Sequence, residues 1–407
     1  MRILVLNAAI VPPSKPGGTR HYMFAKYLRA RHEVYLVASD VHYSSLKKVY
    51  EASAELSVFS FDGVDIHVVK HRPFGKGASR ASRVMHWVSF GVKALRYMWR
   101  LPRPDVVVGS SPNLLQALAA ERYARLRGVP FVLEIRDLWP EVLVELGGFS
   151  RTHPFVVLLG SIERYLYRRA AAVITLMEGS QPMLVQRGSR PEGIHVVPNG
   201  VDLDLVDAPD PAPAIVLDPE RFNIVYTGSH GISNALDAVL DAARLVAKQG
   251  HADVQFTFVG DGENKAQLKA RCRDEGIENV TFCDPIPKDR IYGVLRQADA
   301  LVVNALNASL YDYGLSFNKI YDYMAVARPT VFAVPSNIME ISGGGITCTP
   351  DDAASMADAV VRLKHMSARD RQAMGQRARA YVEQNHNIAR LAEVFETALT
   401  AAVTAHS

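Results

Sequence analysis

Four junctions where a strand hands over to a loop or helix carry glycines or charged side chains suited to holding an anion or moving a proton. "VPPSKPGGTRHY" places Gly17 and Gly18 before a helix. Backbone N–H groups can approach a ligand closely there, and the helix N-terminus favours negative charge; a flexible loop needing positive φ is the plain alternative. "YTGSHGISNALDAVL" repeats the arrangement with Gly228, Ser229 and His230 and reads as a second anion cradle. His230 in it is either a phosphate donor or a surface histidine. In "VGDGENKAQL", Asp261 or Glu263 caps the next helix, with a base or ribose contact as the alternative. "EIRDLWPE" ends a strand with Arg136, Asp137 and Glu141, which face a ligand unless they form a salt bridge. A fifth stretch, "DYGLSFNKIYDYM", sets Lys319 three residues before Asp322, behind Asp312, Gly314, Leu315, Ser316 and Asn318.

These loops need a scaffold, and the chain supplies one twice. "RILVLNAA", "HEVYLVAS", "DVVVGSS", "PFVLEIRD", "AAVITLM" and "IHVVPNG" are short apolar runs with few alternating polar positions, as expected of parallel strands covered on both faces. Helix-like segments separate them, which implies crossovers and a doubly wound sheet. The Asn199-Gly200 pair in "VPNGVD" is explained by turn-making alone. "VDAPDPAPAIVLDPE", residues 206–220, is rich in proline and reads as a linker. The pattern then restarts with "FNIVYTGS", "VQFTFVGDG", "NVTFCDP", "ADALVVNA", "PTVFAV" and "GITCTP". The expected organisation is a first α/β domain over residues 1–205, the linker at 206–220, a second α/β domain over 221–385, and a terminal helix at 386–407 packing back on the first domain. Two doubly wound domains so joined are expected to face a central cleft, with ligands at the carboxyl ends of strands.

Bulk composition excludes several classes. A chain of 407 residues is long for one core, and 48% hydrophobic with 22% charged residues is ordinary for globular domains. A net charge of +4 is small for a nucleic-acid binder, and none is expected as a partner. Cys272, Cys283 and Cys348 lie outside any C-x-x-C spacing, which argues for a reducing compartment and against a zinc knuckle. The start "MRILVLNAAIVPPSKPGG" lacks a signal-peptide pattern, and no apolar run reaches the roughly 18 residues needed to span a bilayer. A cytoplasmic, soluble or peripheral protein is expected.

One segment stands apart. Residues 66–104 hold no acid but nine Lys or Arg, among them Arg83, Arg96 and Arg100, with Trp87 and Trp99 at helical spacing. A basic helix with interleaved tryptophans can lie in the headgroup layer of an anionic membrane, and each basic residue near that surface contributes about 1 kcal/mol. A core-packing helix with a solvated basic face is the alternative.

In their order and spacing, "PPSKPGGTRHY", "SSPNLLQALAA", "FVLEIRDLWPE", "VVPNGVD", "YTGSHGISNALDAVL", "VGDGENKAQL", "ADALVV" and "LSFNKIYDYMAVARPTV" resemble retaining glycosyltransferases of family 4, which have the GT-B fold. More narrowly, the chain is similar to the bacterial O-antigen and capsule subgroup typified by L-fucosamine transferases. The resemblance implies a transferase moving a sugar, plausibly an N-acetylated amino sugar, from a UDP-sugar to a polyprenyl-diphosphate-linked or saccharide acceptor, without a metal or other cofactor. It implies that Gly17 and Gly18 lie near the donor diphosphate and the acceptor. Gly228, Ser229 and His230 would meet the diphosphate, and Asp261 and Gly262 the base or ribose. It also implies ribose contact by Asp322, diphosphate contact by Lys319, and donor-facing amides at Gly314, Leu315 and Ser316.

Two departures from the family pattern stand out. Ile232, Ser233 and Asn234 replace the usual arginine and lysine after the glycine turn, so leaving-group charge must rest on amides, Lys319 and a first-domain cation such as Arg136, Lys15 or Arg20. The first acid of the family's paired-acid motif falls at Tyr313 or Gly314, leaving Asp312 as its nearest substitute. A degenerate GT-B protein that binds nucleotide or a partner without turnover is the alternative reading.

Overall fold

The computed structural model describes residues 1–41, 47–70, 80–209 and 213–406, except for the side chains of Arg80, Ala81 and Arg83. The chain forms two compact units: Met1–Pro198 together with the residues from Ile388 onward, and Asn199–Asn387.

The first unit contains β1 (Arg2–Leu6), β2 (Glu33–Ser39), β3 (Leu56–Phe61), β4 (Val64–Val69), β5 (Val106–Ser110), β6 (Phe131–Ile135), β7 (Ala172–Thr175) and β8 (Ile194–Val196). They pair in the order β3-β4-β2-β1-β5-β6-β7-β8, all parallel except β3 against β4. Every residue of β5, β6 and β7 is buried, the consequence of helices covering both sheet faces. The register sets Val5 between Leu36 and Val108, so apolar side chains stack across the sheet centre. Helix Ile388–Thr404 completes this unit. Phe395 stacks on Phe24 with ring centroids 4.8 Å apart, and Glu396 takes hydrogen bonds from Arg31 (2.5 Å) and the His32 ring (2.7 Å).

The second unit contains β9 (Phe222–Thr227), β10 (Val254–Val259), β11 (Val280–Cys283), β12 (Ala300–Asn304), β13 (Thr330–Ala333) and β14 (Gly345–Thr347). This sheet is parallel throughout, in the order β11-β10-β9-β12-β13-β14. Its core packs Ile224, Phe256, Phe258 and Val302 against Val239, Leu240 and Val246 of helix Leu236–Lys248 and Met356 and Leu363 of helix Ala353–His365.

The structure revises the expected linker. The chain passes between units at Pro198–Asn199, and the segment that follows belongs to the second unit. Gln297 accepts a bond from Leu217 N–H and donates to the Ile215 carbonyl, both at 3.1 Å, while Arg296 donates to the carbonyl of Val206. Proline-rich backbone cannot join a sheet, yet its carbonyls remain good acceptors, and these two side chains use them. Among the described residues no helix is long and apolar enough to cross a membrane.

Candidate active site

In the second unit the site is built at the carboxyl ends of β9 and β10 and at the start of helix Asn318–Ala325. β9 delivers Tyr226 and then turns at Gly228, whose φ is +140°. A Cβ at Gly228 would stand 2.9 Å from Lys319 Nζ, so only glycine lets the lysine close over the turn. Lys319 Nζ donates to Tyr226 Oη (2.7 Å) and Asn234 Oδ1 (2.6 Å) and sits 4.2 Å above the Tyr226 ring. Tyr226 Oη in turn donates to the Ser229 carbonyl at 2.7 Å. Among the described residues no carboxylate pairs with Lys319, and desolvation lowers its ammonium to about 7. A cation enclosed by neutral partners lacks a counter-ion that an anionic ligand would bring.

His230 departs from both sequence expectations. Its ring is fully buried among Tyr226, Phe258 and Phe282, so it is neither at the surface nor presented to a phosphate. Burial, assisted by Lys265 and Lys319, lowers the imidazole to about 4, so it is neutral at physiological pH. Its main chain closes the loop over β10: His230 N–H donates to Asp261 O (2.9 Å), and Asn264 N–H to His230 O (3.0 Å). Neither Asp261 nor Glu263 caps the next helix, since that place is taken by Asn264. The Asp261 side chain instead accepts from Gly262 N–H at 2.9 Å.

Asp322 is 9% exposed, and both its oxygens are engaged by Lys288 Nζ (2.9 and 3.0 Å), with Tyr292 Oη donating to one of them at 3.0 Å. A ribose hydroxyl would have to share this carboxylate with two protein donors. Asp312 is exposed in the 3-10 turn Ser309–Tyr313 and makes no hydrogen bond among the described residues. Gly314 follows with φ of +106°, a conformation that a glutamate at this position would adopt only with strain. Leu315 and Ser316 then lead into the helix that Asn318 begins.

In the first unit, β6 ends at Ile135 and leads into Arg136 and Asp137, whose N–H groups donate to Ser111 Oγ at 2.7 and 3.3 Å. One residue inside the strand, Glu134 is fully buried. It accepts from Arg20 Nε (2.9 Å), His21 Nε2 (2.7 Å) and Ser110 Oγ (2.6 Å). Burial opposes ionisation of Glu134, but His21 and Arg20 hold its carboxyl well below the usual range. Burial also lowers His21, and its Nδ1 can accept from Asn7 Nδ2 at 3.1 Å, so a neutral ring donating to Glu134 satisfies every partner. Arg20 further donates to Pro198 O (2.6 Å) and Val197 O (2.8 Å), and Lys15 donates to Val49 O at 2.9 Å. Both are therefore committed to the fold. Glu141 is likewise a salt-bridge residue, accepting from Arg187 at 2.8 Å. Arg136 differs: among the described residues its buried Nε has no partner, and its terminal nitrogens lie 3.7 and 3.8 Å from where a Cβ on Gly18 would stand. Asp137 is exposed at the strand end.

The helix carrying the basic stretch is Arg80–Met98. Trp87 is half-buried edge-on against Trp139, centroids 5.4 Å apart, next to the Arg136–Asp137 loop, and is not an outward anchor. Trp99 is 44% exposed and carries the Arg127 guanidinium 4.2 Å from its ring. Arg96 and Arg100 are exposed, whereas the Arg83 side chain lies outside the described residues. Val88, which recurs at helical spacing with the tryptophans, is 48% exposed, and sequence reasoning missed two further exposed apolar members of this face, Met85 (52%) and Val92 (64%). It also missed Tyr226 and Asn234 as partners of Lys319, and Lys288 and Tyr292 as partners of Asp322.

Comparison with known proteins agrees with this architecture. Residues 17–200 match the model of a glycosyl transferase 4-like domain, and residues 221–365 that of glycosyl transferases group 1. The chain is 28% identical over 273 residues to a 2-deoxystreptamine glucosyltransferase of Streptomyces kanamyceticus, covering 61% of this chain and 68% of that one. It is 26% identical over 238 residues to WcaI of Escherichia coli (strain K12), named for colanic acid biosynthesis, covering 56% and 58%. Among solved structures, Anabaena HepE in complex with UDP and glucose superposes with a TM-score of 0.68 at 17% identity, covering 98% of this chain and 99% of that one. With a glycosyl transferase 4-like match followed by a glycosyl transferases group 1 match, each on a mainly parallel α/β sheet, the chain has the GT-B fold.

Proposed function

We propose that this protein transfers a sugar, with retention, from a UDP-sugar to a lipid-linked acceptor during assembly of a bacterial surface polysaccharide. The observation that carries the reading is Lys319, an enclosed cation without a carboxylate partner among the described residues, set against the Gly228–Ser229 turn. The departing diphosphate gathers charge as the glycosidic bond breaks. Lys319, closed over this turn, stabilises that charge with a group already in place. Asn234 accepts from the lysine and steers it over the turn. The acceptor hydroxyl passes its proton to a diphosphate oxygen on the same face, so neither a protein base nor a metal is required.

Support for UDP comes from the HepE complex, and support for polysaccharide assembly from the name of WcaI. The subgroup resemblance favours an N-acetylated amino sugar of the L-fucosamine kind. Support for a lipid-linked acceptor comes from helix Arg80–Met98. Its exposed Met85, Val88 and Val92 follow i, i+3, i+7 spacing beside exposed Lys93 and Arg96. The helix also touches the Asp137 loop through Trp87 and Trp139.

The test is turnover with a panel of UDP-, GDP- and dTDP-sugars and polyprenyl-diphosphate-linked acceptors, with and without EDTA. UDP release in both conditions, with the anomeric configuration kept, is the expected result. Saturable nucleotide binding with no turnover on any pair would make this a binding protein.

A further inference from the structure

Three residues close a ring around Ser316, the last residue of the Gly314–Ser316 loop. Asn199 donates from its main-chain N–H to Ser316 Oγ (2.9 Å) and from Nδ2 to the Ser316 carbonyl (2.6 Å). Ser316 Oγ shares a hydrogen bond with Tyr321 Oη at 3.2 Å. The Tyr321 ring lies on that of His386, centroids 4.4 Å apart at 34°. His386 closes the cycle, its Nδ1 lying 3.2 Å from the Asn199 carbonyl. Since a carbonyl only accepts, Nδ1 must carry the proton. Burial lowers His386 to about 4, which keeps the ring neutral and this tautomer available across the physiological range. Asn199, Tyr321 and His386 are all at most 9% exposed.

The place of these residues in the chain gives the ring its meaning. Asn199 is the first residue of the second unit, and His386 is next to its last, Asn387. Val201 N–H donates to His386 O at 3.0 Å, and Val201 bridges Asn387 in parallel, so the entering and leaving strands of backbone are tied to each other. The loop they grip has no ladder of its own. It lies between a 3-10 turn and helix Asn318–Ala325, whose second residue is Lys319.

We propose that Asn199 is a positioning residue for the donor, clamping the Gly314–Ser316 loop to the two points where the chain enters and leaves the second unit. Its relevance to catalysis rests on the donor reading given above. The clamp itself does not, and two measurements separate them.

Hydrogen exchange on the ligand-free full-length chain tests the clamp. In Asn199→Ala, peptides covering residues 309–317 should exchange about tenfold faster, the loss of the Nδ2 bond to the Ser316 carbonyl, with β9 and β10 unchanged. UDP titration tests the role. Asn199→Ala should weaken UDP binding and raise the donor KM about tenfold, with the acceptor KM unmoved. Tyr321→Phe, which keeps the stack on His386, should retain most of the affinity that Tyr321→Ala loses. The effects of Asn199→Ala and Ser316→Ala should be strongly non-additive. Unchanged loop exchange overturns the proposal. So does a variant that only melts earlier, with UDP affinity and donor KM as in the wild type. A wild-type chain that binds no UDP, with a loop that still loosens, would remove the donor reading and leave the clamp.

Discussion

Lys319 should titrate as a sensor of its own ligand. Its ammonium sits at about 7 because burial penalises the charge and no acid repays it. A bound diphosphate favours the charged form and raises that value. Above pH 7 the free protein is then partly deprotonated and the complex is not, so binding takes up a proton. Calorimetric titration of UDP at pH 8.5 in buffers of differing ionisation enthalpy should show uptake approaching one proton, and affinity should fall as pH rises further. In Lys319→Ala both effects should vanish. The lysine itself was legible in the sequence, because its offset from Asp322 is local. Its partners were not: Tyr226 and Asn234 lie 93 and 85 positions away, and only the fold brings them beneath the ammonium. His230 shows the same limit. A histidine after a glycine turn looks like a ligand, and nothing nearby in the chain announces Phe258 and Phe282 around it.

At the scale of elements, strands were the most readable feature, because a parallel strand buried on both faces writes a continuous apolar run. The β3–β4 hairpin escaped notice although Asp62–Gly63 is a two-residue turn signal, both residues having positive φ. Its outer strand is half exposed and lacks the apolar run. Helix Arg80–Met98 was recognised for its charge and tryptophans, but the structure shifts the weight to other side chains. Replacing Met85, Val88 and Val92 with serine should cut binding to vesicles containing anionic lipid by about tenfold or more, since each apolar side chain withdrawn from water contributes about 1 kcal/mol or above. Co-sedimentation reads this directly. Trp87→Ala should act instead on turnover, through Trp139, with little change in vesicle binding.

At the scale of the molecule, the second unit should weaken in mild acid. Burial lowers His230 and His386 to about 4, against an ordinary value of 6.5. Between those values the unfolded chain takes up protons that the folded unit refuses, so stability is complete above pH 6.5 and falls as pH drops towards 4. Each unit of displacement corresponds to roughly 1.4 kcal/mol per histidine. Urea unfolding of the second unit at pH 7.5 and pH 5 should show a lower midpoint in acid, and His230→Phe should make the drop smaller. Helix Ile388–Thr404 has a different consequence, one for biosynthesis. The first unit needs Phe395 against Phe24 and Glu396 against Arg31 and His32, yet these partners are separated by the whole of the second unit. A ribosome therefore delivers every strand of the first sheet early and the helix that seals it last. The second unit, continuous in the chain, can mature while the first waits with an uncovered apolar groove, and in that interval a chaperone has something to hold.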